Sequence, residues 1–189
     1  MNKLICCIVK EISKTNSQFT DLELKKMEYG LLCFFDEVTK IIPYYIIFHL
    51  FSLQQYYMVE FVFFCPIRLF SGGFHARTYW GCFLISFLTF CVIIFIGKYL
   101  TINVFTSLLV LIISVLLVCI FSPVDNINKR IKSKERRNKL KNISVIIIFL
   151  LSVLSYLIPS RFFTTAVTAI LIAVILMMAG YINNGLTKK

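Results

Sequence analysis

Apolar residues run through this chain in long blocks, and polar residues sit in short clusters between them. The blocks cover residues 30–53, 56–70, 82–97, 101–121, 143–158 and 162–182. Blocks of this length and purity predict helices that cross a bilayer, for which about 20 apolar residues are needed. Ahead of them, Leu4, Ile5, Ile8, Val9 and Ile12 recur at helical spacing with Lys3, Lys10, Glu11 and Lys14 between. That pattern predicts an amphipathic helix lying on the membrane surface within residues 1–29. Thr15, Asn16 and Ser17 read as a break, and Thr20 or Asp21 as the cap of the next helix, with Glu23 in its first turn.

The first two blocks are imperfect. Block 30–53 carries Asp36, Glu37, Lys40 and Pro43. Asp36 and Lys40 stand four apart and can pair on one helix face. Block 56–70 contains Glu60 and Pro66 and is short for a full crossing. It reads as a short crossing or as half of a re-entrant hairpin.

Composition makes the class definite. The chain has 189 residues, 59% hydrophobic and 15% charged, with a mean hydropathy of +0.84. A soluble domain is nearer half apolar and a quarter charged. The fold class expected is all-α: a polytopic integral membrane protein forming one domain over 1–189, without a cleavable signal peptide. The seven cysteines show no paired spacing, so neither a disulfide framework nor a zinc site is expected. No metal and no cofactor is called for.

The net charge is +11. Nucleic acid is not the partner this suggests, because the charge is concentrated between apolar blocks. Segment 122–142 holds Lys129, Arg130, Lys132, Lys134, Arg136, Arg137, Lys139 and Lys141 against Asp125 and Glu135. Excess Lys and Arg marks a cytoplasmic loop, and the same charges can meet anionic lipid or attract an acidic peptide. Counting crossings from this loop gives six, some short, with both termini in the cytoplasm and segment 68–82 at the cytoplasmic face.

That segment carries the candidate chemistry. It breaks the apolar pattern with Gly72 and Gly73, then supplies His75 and, seven residues on, Cys82, with Arg68 and Arg77 nearby. Paired glycines permit backbone conformations closed to other residues. Histidine exchanges a proton near neutral pH, and cysteine is a strong nucleophile. For most of the seven cysteines, packing as a small apolar side chain is the better reading. His49 lies in an apolar run and reads as a packed or interfacial residue. On one straight helix, His75 and Cys82 would stand about 10.5 Å apart along the axis, too far to share a hydrogen bond. A working pair therefore requires a break between them. Arg68 and Arg77 are open to three roles: contact with anionic lipid, binding of a substrate carboxylate, or influence on the thiol. No acid is placed by spacing to orient His75, and Glu60 and Asp125 are the candidates near membrane boundaries.

At these residues the sequence resembles the accessory gene regulator B family of quorum-sensing membrane endopeptidases. The pattern Arg-x4-Gly-Gly-x-His-x6-Cys is met by Arg68, Gly72, Gly73, His75 and Cys82. Lys26-x-x-Tyr29-Gly30, Cys82-Phe83-x-x-Ser86 and Pro123-x-Asp125 before the basic stretch also agree. The resemblance implies Cys82 as nucleophile and His75 as base, with Arg68, Gly72, Gly73, Arg77 and Asp125 binding substrate or supporting the site. It implies an autoinducer propeptide as substrate, with an amphipathic N-terminal helix and an acidic tail. Removal of the tail would leave a thiolactone or lactone ring. Membrane lipid is the other expected partner, and a homo-oligomer, a dimer, is admitted. The competing class is a non-enzymatic peptide exporter or adaptor. Other intramembrane hydrolases lack support, since there is no H-E-x-x-H and no G-x-S-x-G.

Overall fold

The computed structural model describes residues 8, 9, 11–13, 20–74, 78–124 and 133–186; several side chains between 21 and 37, and those of 185 and 186, lie outside that description. Among the described residues the regular elements are all helices, with one isolated bridge between Gly72 and Val124. After α1, helical at residues 8, 9 and 11–13, come α2 (Asp21–Leu50), α3 (Gln54–Ser71), α4 (Tyr79–Tyr99), α5 (Val104–Phe121), α6 (Lys134–Ser155) and α7 (Ser160–Leu186). The chain divides into two units, Met1–Ile47 and Phe48–Lys189.

In the first unit, α2 runs without a break through Pro43. It starts nine residues before the first apolar block, after Thr20, whose carbonyl accepts the Leu24 N–H at 3.1 Å. Its apolar part is the shorter stretch Val38–Leu50. Lys40 is buried, while the side chain of its expected partner Asp36 is outside the described residues.

In the second unit, α4, α5, α6 and α7 are long and apolar enough to cross a membrane. The chain is thus a multi-pass membrane protein. Residues 56–70, read as a short crossing or half of a re-entrant hairpin, fall inside α3, an 18-residue helix continuous through Pro66. At 1.5 Å per residue it is about 27 Å long, close to the thickness of a hydrocarbon core.

Local signals start the helices. Thr78 Oγ1 accepts from the Gly81 N–H at 3.1 Å, and Asn103 Oδ1 from the Thr106 N–H at 2.7 Å. Ser133 Oγ caps α6 at the Arg136 N–H, 3.4 Å away. Such caps satisfy amides that a helix start leaves orphaned. The Ser133 cap changes one expectation. Segment 122–142 is not loop throughout: it is helical from Lys134, so Arg136, Arg137, Lys139 and Lys141 ride on the first turns of α6. No Gly or Pro interrupts the chain from there to Ile158, so the basic turns run on into the membrane span.

The core centres on α7, which packs against α3, α4, α5 and α6. Its buried face is made mostly of small and β-branched residues: Ala166, Val167, Ala169, Ile170, Ala173 and Val174. Lipid tails are as apolar as leucine, so close backbone approach, not apolarity, brings membrane helices together. Gly97 of α4 illustrates it: a Cβ there would lie 2.8 Å from the Cα of Thr165. Between α3 and α4, the Phe90 ring meets Tyr57 and Phe64 edge-on at 5.7 and 5.5 Å. Several hydroxyls on these apolar helices bond to carbonyls of their own turn, as Ser144 does to Leu140 and Ser152 to Ile148.

Candidate active site

Helix α3 ends at Ser71 and α4 begins at Tyr79. The break that a His75–Cys82 pair requires is therefore present. Gly72 lies at φ +74° and Gly73 at φ +132°, backbone conformations that favour glycine. Space forbids a side chain as well. A Cβ on Gly72 would overlap the Val124 carbonyl oxygen, and one on Gly73 would lie 2.9 Å from the Met177 Cα.

Three separate elements hold this turn. The Val124 N–H, just after α5, donates to the Ser71 carbonyl at 2.8 Å, and Val124 pairs with Gly72 in a parallel bridge. The Arg68 guanidinium, one turn back on α3, donates to the Gly72 carbonyl at 3.1 Å and to the Phe74 carbonyl. The Phe74 N–H donates to the Leu176 carbonyl of α7 at 3.0 Å. Both backbone polar groups of Phe74, the residue before His75, are thus engaged. Three roles stood open for Arg68 on the sequence; in the fold its planar fork spans two backbone carbonyls, a geometry that an ammonium does not reproduce.

Cys82 is the fourth residue of α4. Its N–H donates to the Thr78 carbonyl at 2.9 Å, and its thiol is partly exposed. It opens a span whose first turn carries a cluster of rings. Trp80 meets Tyr79 edge-on at 5.6 Å and Phe83 at 5.9 Å, and is itself 74% exposed. Exposed aromatic rings at the mouth of a span suit the lipid–water boundary.

His75, Arg77 and Asp125 lie outside the described residues. Asp125 follows directly on Val124, which is bridged to the turn. Glu60, the other acid considered as a partner for the histidine, is fully buried with neither carboxylate oxygen hydrogen-bonded. Its neighbours Tyr57 and Phe64 both touch Phe90, two helical turns along α4 from Cys82, so it belongs to the membrane core and not to the thiol's surroundings. His49, expected to be packed or interfacial, is exposed in the last turn of α2. Among the described residues no three His, Cys, Asp or Glu side chains gather as a metal site.

Sequence reasoning did not single out Val124, Leu176 or Gly180. Two of them act through backbone atoms and carry no side-chain signature. Gly180 did leave a trace: glycine inside a helix costs about 1 kcal/mol against alanine, so its presence in α7 calls for a packing reason. The reason is the turn itself, since a Cβ on Gly180 would stand 2.5 Å from the Gly73 carbonyl carbon and 2.8 Å from its Cα.

The glycine turn, its arginine clasp and the thiol opening the next span are one continuous pattern, and the family model for accessory gene regulator B matches residues 5–180. The chain belongs to the accessory gene regulator B family. An AgrB-like protein of Clostridium beijerinckii is 27% identical over 143 residues, covering 74% of this chain and 72% of the relative. Another AgrB-like protein, from Clostridium acetobutylicum, is 25% identical over 168 residues, covering 89% and 80%. No solved structure matches. AgrB membership extends over the turn, over α4 and over most of α7, and at the level of the family it supports a part in quorum-sensing propeptide processing.

Proposed function

We propose that this AgrB protein is a membrane cysteine endopeptidase that trims an autoinducer propeptide and closes it into a ring. The observation that carries this reading is the break between α3 and α4. It separates two helices at the position where a His–Cys pair needs a bend, and it is held by three elements at once. In the proposed reaction His75 takes the Cys82 thiol proton, and the sulfur attacks the carbonyl before the C-terminal tail. The C–N bond breaks, the proton passes to the leaving amine, and the remaining peptide stays on Cys82 as a thioester. A thiol or hydroxyl within the peptide then attacks that thioester, giving a thiolactone or lactone and the free Cys82 thiol. Proximity favours the ring over hydrolysis.

Arg68, Gly72 and Gly73 act in this scheme by fixing the turn, and Asp125 is the acid proposed to steady His75. Arg77 is assigned to the substrate side. The exposed charges of Arg136 and Lys139 on α6 suit capture of an acidic tail, and they favour a cytoplasmic location for the site. The test is incubation of the protein in lipid with an acidic-tailed propeptide, followed by mass spectrometry. Tail release by wild type and none by Cys82→Ala is expected. Equal release by both would leave the exporter or adaptor reading standing.

A further inference from the structure

We propose that Gly180 is a positioning residue of this reaction, and that α7 is the platform on which the backbone leading to His75 rests. The inference rests on the endopeptidase reading above. The contact is reciprocal. The absent side chain of Gly73 lets the turn reach the Leu176 carbonyl oxygen and the Met177 Cα, at 2.9 Å each from a Cβ placed there. The absent side chain of Gly180, one helical turn further along α7, lets the same helix reach Gly73 and Phe74. Between these two glycines the Phe74 N–H finds the Leu176 carbonyl. Phe74 is the last residue before His75, so a shift of the turn away from α7 is passed directly to the histidine backbone, while Cys82 stays fixed at its own capped helix start.

A methyl group at Gly180 would not weaken α7, because alanine is the better helix former. Its effect falls on the turn. Gly97 supplies the matching control. It too is a glycine whose Cβ would strike backbone, at Thr165 of the same helix, but that contact joins two helices at the opposite end of α4 from Cys82.

The experiment compares wild type, Gly180→Ala, Gly97→Ala, His75→Ala and Cys82→Ala as full-length protein in lipid. Tail release from an acidic-tailed propeptide gives kcat and KM. The pH profile of Cys82 alkylation by iodoacetamide, read by peptide mapping, reports on the thiol without any substrate. Gly180→Ala is expected to lower kcat at least tenfold with KM within twofold, and to move the alkylation profile toward that of His75→Ala. Gly97→Ala is expected to lower thermal stability and keep kcat within twofold. A wild-type kcat and alkylation profile in folded Gly180→Ala overturns the inference alone. Wild-type tail release no greater than that of Cys82→Ala overturns the endopeptidase reading first and this inference with it. Should Gly180→Ala fail to accumulate, hydrogen exchange on the wild-type protein decides. The Phe74 amide protected like the amides of α7 supports the platform, and exchange at the rate of an open loop overturns it.

Discussion

The two ends of α7 use the same device for different purposes. Toward its start, Thr165 receives Gly97 of α4, Phe162 stacks edge-on against Tyr56 of α3 at 5.1 Å, and Thr164 accepts the Ile102 N–H at 3.3 Å. All three contacts tie the scaffold together. Toward its end, Leu176 and Gly180 receive the irregular turn of Gly73 and Phe74. Helix against helix leaves no backbone group in need of a partner, because each helix bonds its own. A turn packed against a helix must find partners for its freed N–H and C=O groups. The first end rests mainly on shape, with one hydrogen bond to the connection before α5, and the second needs directed hydrogen bonds along the turn. A site placed at such a turn inherits rigid backbone geometry from the scaffold.

Four groups of substitutions break or sharpen that contrast. The largest effect is expected at the reacting groups, where Cys82→Ser and His75→Ala each reduce tail release to background. Membrane abundance and thermal transition should stay near wild type. A wild-type rate in either variant would remove that residue from the mechanism.

Arg68→Lys comes next. It keeps the charge but cannot span the carbonyls of Gly72 and Phe74 together. Loss of one hydrogen bond from a charged donor costs about 1.5–3 kcal/mol, so kcat should fall roughly ten- to a hundredfold if that cost is felt in the geometry of the turn. A change confined to KM would show that Arg68 binds substrate instead.

The scaffold end should answer in the opposite sense. Ala169→Leu overfills a fully buried position on α7, and overpacking costs about 1–3 kcal/mol. A lower thermal transition with kcat per folded molecule unchanged is expected. Loss of kcat without loss of stability would show that the two ends are coupled along the helix.

The smallest effects belong to α6. Arg136 and Lys139 are exposed, whereas Arg137 donates to the Pro123 carbonyl at 3.4 Å. Exposed charges are screened within about 8 Å at physiological salt. Arg136→Gln with Lys139→Gln should raise KM a few-fold at low salt and lose that effect at high salt. Arg137→Gln should show a loss that salt does not reverse, because its bond ties the start of α6 to the residue before Val124.

Much of this protein was legible in its sequence because the bilayer imposes a strong, one-dimensional rule. Apolar length alone marks four spans, and α5, with 22% of its window buried, obeys that rule as well as α7 with 61%. The same rule could not tell exposed Ile112 and Ile113 from core Ile170, since both sets are equally apolar. Helix ends were less legible. The basic residues 134–142 read as loop by their charge, while the Ser133 cap sets the local structure. The break between α3 and α4 was legible as a requirement of a His75–Cys82 pair, from helical geometry applied to a spacing of seven.

The sequence by itself determined the membrane class, the all-helical fold, the family and the glycine break before His75 and Cys82, because each is written in residue type at fixed spacing along the chain. Only the tertiary structure decided that Arg68 clasps the turn, that Val124 bridges it, that Glu60 belongs to the core and that Gly180 supports the backbone leading to His75. The physical reason is that these contacts run through backbone carbonyls, backbone amides and a missing side chain. Such groups are nearly the same at every residue, so they acquire meaning only when the fold brings two of them together.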